Sequence, residues 1–148
     1  MIRLTGAELQ AARKAAAERF MAIGLQYVPD GWTVAYRKSL SGRACYGPKR
    51  IDAPRPVTRK SLYIFLHECA HAHLHSPDSR KPRHVEEMEA EQWAHAKMRE
   101  HGIAVPRSMT VRAKNYVARK IRQALRRGAK KIDPAAIRFA GKPRRTFS

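Results

Sequence analysis

Apolar and polar positions alternate along this chain with helical spacing near both ends and strand-like spacing in a short stretch between. Thr5 and Glu8 have the spacing of a capping box, after which Leu9, Ala12, Ala16, Phe20 and Ile23 form one stripe, with Gly24 as its stop. Pro29-Asp30-Gly31 turns the chain. Trp32 to Lys38 alternates like a strand, Ser39 to Gly42 is a turn, and Arg43 to Gly47 returns as a second strand. Pro54 and Pro56 break the pattern before a helix that begins near Val57. In that helix Leu62, Phe65, Leu66 and Cys69 fall on one side, and Tyr63, His67 and His71 on the other.

Ser76-Pro77-Asp78 ends this helix, and Lys81-Pro82-Arg83 extends the connection. The next helix starts near His84, runs through Met98 and stops near His101-Gly102. After the connector Ile103-Ala104-Val105-Pro106, Thr110 caps a helix to about Arg127 with the stripe Ala113, Val117, Ile121 and Leu125, and Gly128 closes it. Asp133-Pro134 opens a short last helix, followed by the basic tail Lys142-Pro143-Arg144-Arg145. The pattern predicts an α+β fold, a small antiparallel or mixed sheet with helices, and contains no repeat or low-complexity block.

Composition adds a partner. Lys and Arg number 31 against 12 Asp and Glu, a formal charge of +19 in 148 residues. Nucleic acid is the default polyanion for so basic a chain, and an acidic protein is the main competitor. The excess is one-signed from Met109 to Ser148, where Asp133 is the single acid. Arg112, Lys114, Arg119, Lys120, Arg122, Arg126, Arg127, Lys130 and Lys131 are the expected phosphate contacts, tracking backbone charge without reading bases. Cys45 and Cys69 make no disulfide framework, and Cys69 falls on the packing side of its helix. The chain has no run of roughly eighteen apolar residues, and its amphipathic start is unlike a signal peptide. Those features point to the cytoplasm and away from a membrane.

The chemistry lies in His67-Glu68-Cys69-Ala70-His71. Residues four apart share a helix face, so both imidazoles can hold one Zn²⁺, with Glu68 beside the open position as proton acceptor. This is the zincin metallopeptidase signature, in which zinc lowers the pKa of its water to about 7. A third ligand is required. His75 lies a further turn along and is too far to close on the same ion. Leu74 and Pro77 stand where a longer metzincin motif needs Gly and His. The next helix carries Glu87, Ala90, Glu91, Ala94 and Met98 on one stripe, with Glu86 and Glu89 elsewhere. Two carboxylates on a small, otherwise apolar stripe need positive partners. Glu87 is therefore assigned as third ligand, and Glu91 as the carboxylate that orients a metal-bound imidazole. Tyr63 and Tyr46 are candidate oxyanion donors, while His73, His75, His95 and His101 are read as surface or structural.

From Trp32 to Val105 the chain resembles the ImmA/IrrE family of small gluzincin metallopeptidases. The likeness rests on the motif at 67–71 followed by Glu87-Met88-Glu89-Ala90-Glu91-Gln92-Trp93-Ala94. Trp93 stands where that family usually has Phe, and Glu91 where it often has Asn. Gly42-Arg43-Ala44-Cys45-Tyr46 and Ile51-Asp52 resemble its strand entering the site. The resemblance implies a zincin-like minigluzincin domain over 1–108 with Glu87 as ligand, acting on a regulatory protein and often carried by mobile elements. The basic helical extension, 109–148, lies outside it. Zn²⁺ is the expected ion, with Mn²⁺ acceptable to such a ligand set. Two rival readings are a SprT-like protease acting on DNA-attached proteins with His84 as third ligand, and a gluzincin scaffold that binds nucleic acid with little proteolysis. The oligomeric state is not readable.

Overall fold

The computed structural model describes residues 3–141, an α+β arrangement with five helices and one three-stranded mixed sheet among them. The basic tail at 142–145 lies outside the described residues. Helix α1 (Gly6–Gln26) opens on the expected capping box, with Thr5 Oγ1 accepting from the Glu8 backbone and the Glu8 carboxylate accepting from the Thr5 backbone. The stripe of α1 is buried only toward its end, at Ile23, while Leu9 and Ala12 face solvent. Gly24 does not stop the helix. It lets α1 approach the loop before α2, since a Cβ there would lie 2.9 Å from Pro56 Cγ.

Strands β1 (Thr33–Arg37), β2 (Arg43–Cys45) and β3 (Arg50–Pro54) lie in the order β1-β3-β2. The two strands expected from alternation therefore do not pair with each other. The central strand is β3, parallel to β1 with Ile51 opposite Val34, and antiparallel to β2 with Asp52 opposite Arg43. Its Ile51 and Ala53 are fully buried, which is why so short a segment outcompetes a direct β1–β2 hairpin.

Helix α2 (Arg59–Leu74) is the hub. Thr58 and Ser61 cap it reciprocally, so it begins just after Val57. One side sets Phe65 and Cys69 against Ile51 and Ala53 of the sheet, and the other sets Leu62 and Leu66 against Ala94 and Met98 of α3 (Arg83–Glu100). Alanines 90 and 94, both fully buried, allow α3 to lie close to α2. Gly102, at φ 69, follows the end of α3 as expected.

Helix α4 (Arg107–Arg126) starts directly after Pro106, its cap residue, about a turn before Thr110. Helix α5 (Pro134–Ala140) is capped by Asp133, which accepts from the backbone of Ala135 and Ala136. Met88, Val117 and Ala136 form a core between α3, α4 and α5, and Met109 joins the core around α2. The expected boundary at 108/109 thus falls inside α4, which packs against the site-bearing helices. Ala113 and Val117 are buried, but Leu125 is exposed where α4 runs past α5. No helix among the described residues is long and apolar enough to cross a membrane.

Candidate metal centre

Two buried helices bring three of the sequence-derived residues to one point. His67 Nε2 lies 3.0 Å from Glu87 Oε2, His71 Nε2 lies 3.3 Å from Glu87 Oε1, and the two Nε2 atoms are 3.1 Å apart. A tetrahedral ion with bonds of about 2.0–2.2 Å places its ligand atoms about 3.3–3.6 Å from each other. The two imidazoles meet different oxygens of Glu87, and one ligand atom from each of the three residues lies within 4.8 Å of the others, so His67, His71 and Glu87 could hold a metal ion.

The outer contacts support the same geometry. His67 Nδ1 lies 2.9 Å from Glu91 Oε1, although off the ring N–H axis, so this contact is an electrostatic pairing in the present rotamer. Tyr63 donates its hydroxyl proton to Glu91, which fixes that carboxylate. On the other imidazole, His71 Nδ1 is 2.9 Å from His75 Nδ1, and His75 Nε2 is 3.0 Å from Glu89 Oε1. Lys81 closes the chain by donating to Glu89 at 3.0 Å. The consistent proton assignment has His75 donating to Glu89 and accepting from His71, which leaves the Nε2 lone pair of His71 facing the triad. Arg83, one turn before Glu87, pairs with its Oε1 at 2.8 Å.

Burial and charge act on these groups in opposite senses. Burial pulls His67 toward the neutral form, but contacts with Glu87 and Glu91 outweigh it and raise its pKa well above the ordinary value. His71 is lowered, mainly by burial. Glu87 resists burial because both imidazoles favour its charged form, and its pKa falls below the usual range. Glu68 is buried and pushed up to about 7, chiefly by desolvation, with His67 opposing and Glu87 adding to the rise. A carboxyl group poised near neutrality suits proton exchange.

A cleft of about 280 Å³ opens onto Glu68, bounded by β2 and the loop before it, by α2 and α3, and by α4. Gly42 forms its wall: a Cβ there would lie 2.8 Å from Glu68 Cγ and 2.8 Å from the Asp52 carbonyl. Only a residue without a side chain allows β2 to pass so close to Glu68.

The other sequence-derived residues are distributed as follows. Tyr63 is buried with its hydroxyl committed to Glu91, and Tyr46 donates to the His71 carbonyl at 3.1 Å, so neither holds a free proton for an oxyanion. His84 is buried away from the triad, where Nε2 accepts from the Asp133 backbone at 3.4 Å and ties α5 to α3. Arg112 lines the cleft. Lys114, Arg119, Arg122, Arg126, Arg127, Lys130 and Lys131 are exposed, while Lys120 is partly buried and stands with Arg119 over the Tyr116 ring. Sequence reasoning missed the parts played by His75, Glu89, Arg83 and Tyr116, and placed Gly42 in the segment entering the site without its contact to Glu68. The first could have been found from its place four residues after His71, and Arg83 from the same spacing before Glu87. Comparison with protein-family models, with curated proteins and with solved structures finds no match for this chain.

Proposed function

We propose that this chain is a metal-dependent peptidase of the zincin type, resembling the ImmA/IrrE gluzincins, with His67, His71 and Glu87 as ligands. The observation that carries the reading is the convergence of those three side chains, one ligand atom from each within 4.8 Å of the others, beside a buried Glu68 at an open cleft. A bound Zn²⁺ or Mn²⁺ supplies Lewis acidity that polarises a carbonyl and acidifies water. Glu68 takes the proton from the attacking water and returns it to the leaving amine. The His75–Glu89 pair holds His71 in its ligating tautomer, and the Glu91 carboxylate lies beside Nδ1 of His67. Arg83 of α3 and Tyr116 of α4 also line the cleft and are the candidate donors to a developing oxyanion. The position of His84, remote from the triad and bonded to Asp133, disfavours the SprT-like ligand set.

The substrate is a regulatory or DNA-associated protein in the cytoplasm. The exposed basic face of α4 and Lys130-Lys131 favours a nucleic-acid contact as a second activity. Removing 109–148 would test it poorly, since Met109 and Val117 are core residues. Replacing Arg119, Arg122 and Arg126 with Gln keeps the fold and should flatten the salt dependence of DNA binding by about one unit of slope per lost contact. The peptidase reading is tested with a protein and peptide panel: wild type cleaves and Glu68→Gln, still metal-loaded, does not. Equal cleavage by both would end it.

A further inference from the structure

We propose that the cleft receives a carboxylate beside the bond to be cut, with Arg112 as its main receptor and Arg43 as its support. The inference deepens the metallopeptidase reading and rests on it for the cleavage step. Arg43, Arg83 and Arg112 line the same cleft as Glu68, Glu87 and Glu91. The three guanidiniums offset the three carboxylates, and a divalent ion at the triad leaves the cleft net positive. Such a cleft favours an anionic occupant.

The arginines are not equivalent. Arg83 is engaged by Glu87 at 2.8 Å, and its charge acts on Glu68 and Tyr46. Arg43, on the edge strand β2, uses Nε to bond Asp52 at 3.2 Å, and its side chain remains 64% exposed. Its terminal nitrogens are therefore available. Arg112 forms no ion pair among the described residues. Its Nη2 donates instead to a neutral backbone oxygen, that of Leu40, at 3.1 Å. This contact crosses the cleft from α4 to the loop that carries Gly42. A charged acceptor makes a stronger bond to a guanidinium than a peptide carbonyl does, so a substrate carboxylate displaces Leu40. The charge of Arg112 also acts on the Tyr63 hydroxyl, which lines the cleft and is bonded to Glu91. Arg112 and the three triad residues line this one cleft.

A carboxylate can come from an Asp or Glu side chain or from a chain terminus, and two matched peptide pairs separate these sources. One pair is blocked at both ends and differs by Glu against Gln. The other has no acidic residue and differs by a free against an amidated C-terminus. Binding to the zinc-loaded full chain carrying Glu68→Gln is read by fluorescence anisotropy. At least one pair should favour the carboxylate by about tenfold or more, the size of a charge-assisted hydrogen bond. That ratio should fall toward one when Arg112→Gln is added, with zinc content unchanged. A ratio near one in both pairs, or one untouched by Arg112→Gln, overturns the proposal. So does displacement of the acidic peptide by an oligonucleotide at lower concentration than by the unlabelled peptide. If the ratio behaves as expected but wild type cuts no peptide of the panel, the carboxylate site stands and the peptidase reading falls.

Discussion

Replacing Gly42 by alanine is the sharpest perturbation the fold offers, because the new methyl enters a gap closed on two sides. Its Cβ would sit 2.8 Å from Glu68 Cγ, 2.8 Å from the Asp52 carbonyl oxygen and 3.0 Å from Glu68 Oε2. Carbon atoms rest about 3.5–4.0 Å apart, so something must move by roughly 0.7 Å or more. The Asp52 carbonyl belongs to the buried central strand β3 and cannot yield cheaply. Glu68 and the loop before β2 must therefore give way. Overpacking of this kind costs about 1–3 kcal/mol of stability. A displacement near 1 Å of a catalytic group lowers turnover about 100-fold. The three atoms nearest the new methyl belong to Asp52 and Glu68 and none to a metal ligand, so zinc content should stay at the wild-type level. The assay is kcat/KM on any peptide the wild type cleaves, measured beside metal content and melting temperature. Wild-type kcat/KM in a folded Gly42→Ala protein would refute the placement of Gly42 behind Glu68. Loss of zinc together with activity would refute the claim that the two parts of the site are separable.

Two further predictions follow from the same geometry. His75→Ala removes the acceptor that fixes His71, and zinc affinity measured by competition with a chelating dye should fall about 10- to 100-fold; an unchanged affinity would reduce His75 to packing. Asp52 contributes to the acid limb of stability, together with the lowered Glu87 and Glu89. Its pKa falls to about 2, chiefly through the Arg50 hydrogen bond, against opposing burial and with help from Arg43. A carboxyl group lowered on folding stabilises above its unfolded pKa, about 4, and that contribution is lost as pH falls from about 4 to about 2. Denaturant midpoints measured across that window should drop in wild type more than in Asp52→Asn, and parallel curves would remove Asp52 as the cause.

Much of this arrangement is legible in the residues themselves, for identifiable reasons. Helices announce themselves by capping pairs such as Thr5–Glu8 and by stripes of period 3.6, and a ligand pair four apart follows from the helix alone. Glu87 and Glu91 could be found because two carboxylates on a stripe of small apolar residues need positive partners once that stripe is buried. The sheet was harder. Strand β3 is five residues carrying one buried aspartate and ending on proline, so its central position depends on contacts with α2 that no local pattern encodes. The close approach of Gly42 to Glu68 and the contact of Arg112 with Leu40 are silent for a similar reason, since both arise where distant parts of the chain meet at the cleft. The basic stretch after Met109 illustrates the converse error. Its charge suggests an appendage, yet Met109, Ala113 and Val117 anchor α4 into the body and make it a wall of the cleft.

The central claim is that His67, His71 and Glu87 share one cation. Native mass spectrometry of zinc-equilibrated wild type, Glu87→Ala and His84→Ala, each confirmed as folded, tests it most directly. The account predicts one zinc per chain in wild type and in His84→Ala, and a loss of it in Glu87→Ala. Retention by Glu87→Ala together with loss by His84→Ala would contradict it.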